Sequence, residues 1–136
     1  MTEPTLPELI LAATAATEFA YVPYSHYPVG AALLTADGTV YTGCNVENAA
    51  YPACICAERV ALVKAVSAGQ RTFKSIAVTT RDGGSPCGTC RQMLFEFSPD
   101  MLVIMARFDG EITAQGTLRE FLLYGFGPSH LLPDGP

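Results

Sequence analysis

CAERVAL, residues 56–62, places a thiol two positions before a carboxylate, and PCGTCRQ, residues 86–92, supplies a close pair of thiols 31 residues further on. Each stretch opens an expected helix. The first runs from about Cys54 to Gly69, a good C-cap; the second starts at Cys87 or Gly88 and runs to about Phe97. Between them Ser75 to Thr80 reads as a short β-branched strand and RDGGSP as a loop. A βαβ layout can set two such helix starts side by side. Free N–H groups and the positive dipole end favour thiolates there, and thiolate is the form that binds zinc.

Outward from this unit, Leu6 to Val22 is expected as a helix. Its apolar stripe is Leu9, Ile10, Ala13, Ala16, Phe19 and Ala20, and Thr5 with Glu8 can form a capping box. VPYSHYP breaks it. Val29 to Ala36 and Thr39 to Cys44 read as strands around an Asp37-Gly38 turn. Met101 to Arg107 and Glu111 to Gln115 read as strands around Asp109-Gly110. Thr117 with Glu120 caps a final short helix. The order α-β-β-α-β-α-β-β-α implies an α/β fold with a five-stranded mixed sheet, helices on both faces and one domain over 1–136. Strands joined through a helix should be parallel.

With 49% hydrophobic and 15% charged residues, the chain is globular and not disordered. A net charge of −5 argues against binding a nucleic acid polymer. No apolar run approaches the roughly 20 residues of a membrane span. The acidic start MTEPTLPEL lacks the features of a signal peptide, so a cytoplasmic location is expected. There are five cysteines, an odd number in a reducing compartment, which favours metal binding over a disulfide framework.

Cys87 and Cys90 are spaced C-x-x-C, so both sulfurs reach one ion, and Cys56 is the third candidate ligand. Cys44 and Cys54 are expected to be small buried hydrophobes; a closed four-sulfur structural site with either as fourth ligand is the competing arrangement. Glu58 favours an open, catalytic site, because a carboxylate two residues from a ligand can accept a proton from water. Three thiolates on Zn2+ leave one excess negative charge, which a guanidinium donating to sulfur would drain. Arg59 and Arg91 both follow site residues, and either could do so.

The C-A-E and P-C-x-x-C pattern resembles the zinc-dependent nucleobase deaminase signature. YVPYSHYPVGAALLTADG, GCNVENAAYPACICAERVAL and PCGTCRQMLFEF resemble the small cytidine deaminases along nearly the whole chain. The resemblance implies a three-layer α/β/α cytidine-deaminase-like fold and one zinc per subunit on Cys56, Cys87 and Cys90, with Glu58 as proton shuttle and Arg59 supporting the thiolates. It implies that Asn45 and Glu47 bind ribose hydroxyls and that Tyr27 packs near the nucleoside. It also implies a homotetramer in which a neighbouring subunit donates Phe126. The activity implied is deamination of cytidine and deoxycytidine in pyrimidine salvage. The sequence departs from the family at Tyr27, where Phe is usual, at Pro52 and Ala53 in AYPAC, and in lacking a proline before Phe126. Rival readings are a deaminase of blasticidin S, free cytosine or N4-modified cytidines, a polynucleotide editor, and a non-catalytic zinc-stapled module.

Overall fold

A computed structural model describes residues 2–132 and 134. In chain order the elements are α1 (Leu6–Ala16), β1 (Gly30–Thr35), β2 (Val40–Cys44), α2 (Ala57–Ser67), β3 (Phe73–Thr80), α3 (Gly88–Phe95), β4 (Leu102–Arg107), β5 (Ile112–Thr117), α4 (Leu118–Phe121) and α5 (Pro128–Leu131). Short 3-10 turns cover Thr17–Phe19 and Tyr51–Ala53. The sheet order is β2-β1-β3-β4-β5, with β3 and β4 parallel and the other neighbours antiparallel. Both antiparallel hairpins turn where Asp-Gly was expected. Among the described residues no helix is long and apolar enough to cross a membrane.

The period-two geometry of the strands sorts the core into two layers. Ala31, Leu33, Ile76, Val78, Val103 and Met105 face α2 and α3, where they meet Ala57, Ala61, Leu62 and Leu94. Ala32, Leu34, Ala77, Ile104 and Ala106 face α1 and pack on Leu9, Ile10 and Ala13. The inner strands are therefore apolar on both faces, as sheets covered on both sides require. The three-layer α/β/α arrangement and the five-stranded mixed sheet are as expected.

Element ends differ from the sequence reading for identifiable reasons. The first helix starts at its Thr5–Glu8 capping box, where Glu8 N donates to Thr5 Oγ1 at 3.3 Å and Thr5 N to Glu8 Oε1 at 3.0 Å. It ends at Ala16 and not Val22, passing into the 3-10 turn. The second starts at Ala57, because Pro52 lies in the preceding 3-10 turn and Cys56 is an extended N-cap with ψ 153°. Gly43 is required on the site side of β2: a Cβ there would lie 2.5 Å from the Ala57 carbonyl oxygen and 2.7 Å from Ala61 N. That close approach seats the start of α2 against the end of β2.

Candidate active site

The crossovers β2–α2–β3 and β3–α3–β4 bring the N-termini of α2 and α3 together. Cys56 caps one helix and Cys87 the other. Cys87 Sγ accepts from Cys90 N at 3.4 Å, as N-cap side chains do. The sulfurs of Cys56 and Cys87 are 3.8 Å apart, those of Cys87 and Cys90 3.2 Å, and all three lie within 4.8 Å of one another. Tetrahedral zinc–sulfur bonds of about 2.3 Å set neighbouring sulfurs roughly 3.8 Å apart. The trio therefore fits zinc with sub-ångström adjustment.

The electrostatics prepare the trio for a cation. The Cys56 thiol is pushed down to about 5 by a hydrogen bond from the Cys90 thiol and by the Arg59 guanidinium. Cys90 is pushed up by that same hydrogen bond and by burial, since it keeps the proton that Cys56 gives up. Arg59 Nη2 donates to Cys56 Sγ at 3.6 Å and to the Cys54 carbonyl at 3.2 Å. Arg91, the other candidate, is turned away from the sulfurs; its Nε donates to the Pro86 carbonyl.

Cys44 and Cys54 stay outside the trio. Both are half-buried and not fully enclosed as expected. The Cys54 sulfur accepts from Asn48 N at 3.3 Å. A four-sulfur site therefore has no fourth sulfur among the described residues.

Glu58, in the first turn of α2, is only 3% exposed, and its Oε1 has no hydrogen-bond partner. A buried carboxylate oxygen left unpaired is costly. Burial, then the neighbouring Cys56 thiolate, pushes the carboxyl up from its usual range. Glu58, Cys56, Cys87, Tyr27 and Asn45 all line one cavity of about 150 Å3. It combines a sulfur cluster, a carboxyl suited to both giving and taking a proton, and apolar walls at Val29 and Val78.

Asn45 is held at the end of β2, where its Oδ1 accepts from Val29 N and its Nδ2 donates to the Tyr27 carbonyl, both at 2.9 Å. One amide N–H remains for a ligand. Glu47 lines a separate opening with Tyr24, Ser25, Tyr51 and Cys54. Its Oε1 accepts from Tyr24 N at 3.0 Å and Ser25 N at 3.1 Å. Hydrogen bonds from Ser25 and Tyr24 hold its carboxyl below the usual range, so it is a charged acceptor.

Phe126 is not brought into this cavity. It lies between α4 and α5, 54% exposed, stacked on His130 with ring centroids 5.0 Å apart.

The hydroxyl by which Tyr27 departs from the usual Phe is engaged. It donates to Asp82 Oδ1 at 2.5 Å, while Arg81 lies over the ring at 4.8 Å and Arg81 Nη1 donates to the His26 carbonyl. Thr80 Oγ1 donates to Asp82 and accepts from Gly84 N at 2.7 Å. Sequence reasoning saw RDGGSP only as a loop and missed Arg81, Asp82 and Ser85. Arg81 and Asp82 each lie 55 residues from the residue they meet, His26 and Tyr27, so no local pattern links them.

Comparison with known proteins agrees with this geometry. The family model described as the cytidine and deoxycytidylate deaminase zinc-binding region matches residues 5–106. The chain is 53% identical to a cytidine deaminase of Sporosarcina psychrophila over 108 residues, covering 77% of this chain and 79% of that protein. It is 50% identical to the cytidine deaminase of Halalkalibacterium halodurans over 107 residues, 76% of this chain and 81% of that one. The crystal structure of the Burkholderia pseudomallei cytidine deaminase superposes with a TM-score of 0.86 at 45% identity, covering 90% of this chain and all of that one.

Proposed function

Because the chain belongs to the cytidine and deoxycytidylate deaminase zinc-binding family, we propose that it hydrolyses cytidine, and also deoxycytidine, to the uracil nucleoside and ammonia, as a step of pyrimidine salvage. The observation that carries the mechanism is the buried Glu58 carboxyl with its unpartnered Oε1 beside three clustered thiols. Cys56, Cys87 and Cys90 would hold Zn2+, which when bound supplies Lewis-acid activation of water near neutral pH. Glu58 takes a proton from the attacking water and delivers it to N3 of the cytosine ring. It then carries the second water proton to the amino group, which leaves C4 as ammonia. Base and acid are thus one carboxyl, and its upward shift toward the working pH serves both roles. Arg59 offsets the excess thiolate charge by donating to Cys56.

The second oxygen of Glu47 and the spare Asn45 N–H are suited to ribose hydroxyls, one as acceptor and the other as donor. Tyr27, clamped by Asp82, forms a fixed wall for the nucleoside. A cytoplasmic setting is read from the odd number of cysteines and the use of three of them as metal ligands and not as disulfides. The assembly is read as a homotetramer. Phe19, Tyr51 and Leu123 are each more than two-thirds exposed, and Phe126 lies outside its own chain's cavity. In the tetramer Phe126 closes a neighbour's site. Sedimentation should give four subunits; an active monomer would refute that assembly.

The deciding assay follows ultraviolet absorbance and ammonia on cytidine, deoxycytidine, cytosine and blasticidin S. Turnover of the two nucleosides is expected. A zinc-replete protein inert toward both nucleosides would overturn the reading, in favour of a rival deaminase if cytosine or blasticidin S is turned over and of a structural module if nothing is.

A further inference from the structure

Arg91 and Gln92 lie one and two residues beyond Cys90, and neither touches a sulfur. Instead the Arg91 guanidinium ties together two segments far apart in sequence. Its Nε donates to the Pro86 carbonyl at 2.9 Å and one Nη to Ser85 Oγ, both on the loop that ends at Cys87. Its other Nη donates to the Phe121 carbonyl at 2.8 Å, at the end of α4, and the guanidinium lies 5.9 Å from the Phe121 ring. Gln92 Nε2 donates to the Phe126 carbonyl at 2.7 Å. Gly125 passes so close to α3 that a Cβ there would lie 2.9 Å from the Phe95 ring. α3 thus grips residues 121–126 through Arg91, Gln92 and Phe95, while its first turn holds the cysteine pair.

From this geometry we infer that Arg91 is a positioning residue which couples the Cys87 loop to the C-terminal segment, so that metal retention and the order of residues 121–126 reinforce each other. The fork of a guanidinium reaches acceptors on both segments at once, which an ammonium cannot do. Fixing the Pro86 carbonyl fixes the approach of Cys87 to its cap position. Partners one step removed from a metal ligand typically govern about 10–100-fold of metal affinity. Because coupling is reciprocal, zinc on Cys87 must tighten the tail by the same factor by which an ordered tail tightens zinc. The inference rests on Cys87 being a zinc ligand.

The test uses the full zinc-loaded chain. Arg91→Lys keeps the charge and the aliphatic stem but loses the fork. Zinc release to a chromogenic chelator should quicken about 10-fold or more. Backbone amide exchange over 121–126 should rise, while β3 amides stay protected. In the parent, stripping zinc should raise exchange over 121–126; in the variant, stripping should add little. Gln92→Ala frees the tail only at Phe126 and leaves the Arg91 link to Phe121 in place, so it should quicken zinc release less than Arg91→Lys does. Zinc release at the parental rate in folded Arg91→Lys overturns the coupling, and so does a parent tail indifferent to zinc. Equal acceleration by Gln92→Ala overturns the assignment to Arg91. If Arg91→Lys does not fold, Arg91→Gln keeps one donor and loses the fork, and parental zinc release in it refutes the inference. A parent that binds no zinc would instead sink the reading of the cysteine site.

Discussion

Replacing Glu58 by Gln separates catalysis from architecture. The side chain is 3% exposed, lies at the start of α2 beside Cys56, and leaves Oε1 without a partner. Gln has nearly the same volume, so the cavity and the three sulfurs are undisturbed. The amide cannot take and return a proton, a function worth about 10²–10⁴-fold in rate, or roughly 3–5 kcal/mol of barrier. No comparable loss of stability is expected, because the carboxylate contributes no hydrogen bond at Oε1 that the amide would forfeit. The sign with pH is also fixed. Burial raises the folded carboxyl above its unfolded value. Its contribution to stability is therefore complete below about pH 4.3 and is lost as pH rises through the folded value. In zinc-stripped protein at pH 7, Glu58→Gln should then melt no lower than the parent. Turnover is read as absorbance loss on cytidine, zinc by elemental analysis and melting by circular dichroism. A zinc-replete Gln variant with near-parental kcat would refute the assignment of Glu58 as proton carrier.

Cys87→Ala should lose zinc and thermal stability together, since ligand binding and folding are linked; full zinc content in a stable variant would mean that another group completes the site. Free cytosine should be a very poor substrate, by up to roughly 10⁴-fold in kcat/KM, because it leaves Asn45 and Glu47 without their hydroxyl partners. Glu47→Ala should narrow that preference with zinc retained, and equal kcat/KM for cytosine and cytidine in the parent would refute sugar recognition. Asp37, in the β1–β2 turn, accepts from Thr35 Oγ1, Gln70 Nε2 and Thr39 N, which hold its carboxyl well below the usual range. Its stabilising effect is present above the unfolded value near 3.9 and fades as pH falls. Asp37→Asn should therefore lower Tm at pH 7 by more than at pH 3; an equal loss at both would show the charge is irrelevant.

The parts of the molecule legible from sequence were those written in local patterns. Thr5 and Glu8 announce a helix start three residues apart, Asp37-Gly38 a hairpin, and Cys87-x-x-Cys90 a shared ion. The order of strands and helices implied helices on both faces of the sheet. Helix ends were less legible, because Cys54 and Ile55 look helical until Pro52 commits the preceding turn. Least legible were contacts made only by the tertiary fold. Tyr27 meets Asp82 55 residues away, and Arg91 meets Phe121 30 residues away. Nothing at either end of such a pair marks its partner. Glu47 and Phe126 stand apart from the cavity that holds Glu58: one lines a separate opening and the other lies exposed between α4 and α5.

The place of β3 in the sheet has a kinetic consequence. The β1–β2 and β4–β5 hairpins close over short turns and can form early, in microseconds for such units. The central strand must then pair with β1 on one side and β4 on the other, contacts of long sequence separation that form slowly. Cys56 precedes that strand and Cys87 and Cys90 follow it, so the sulfurs meet only when β3 has docked with both neighbours. Zinc capture is therefore expected to be a late event that reports completion of the sheet. In refolding, the signal of a zinc dye should fall no earlier than the protection of β3 amides, and the thiols should be open to alkylation until that moment.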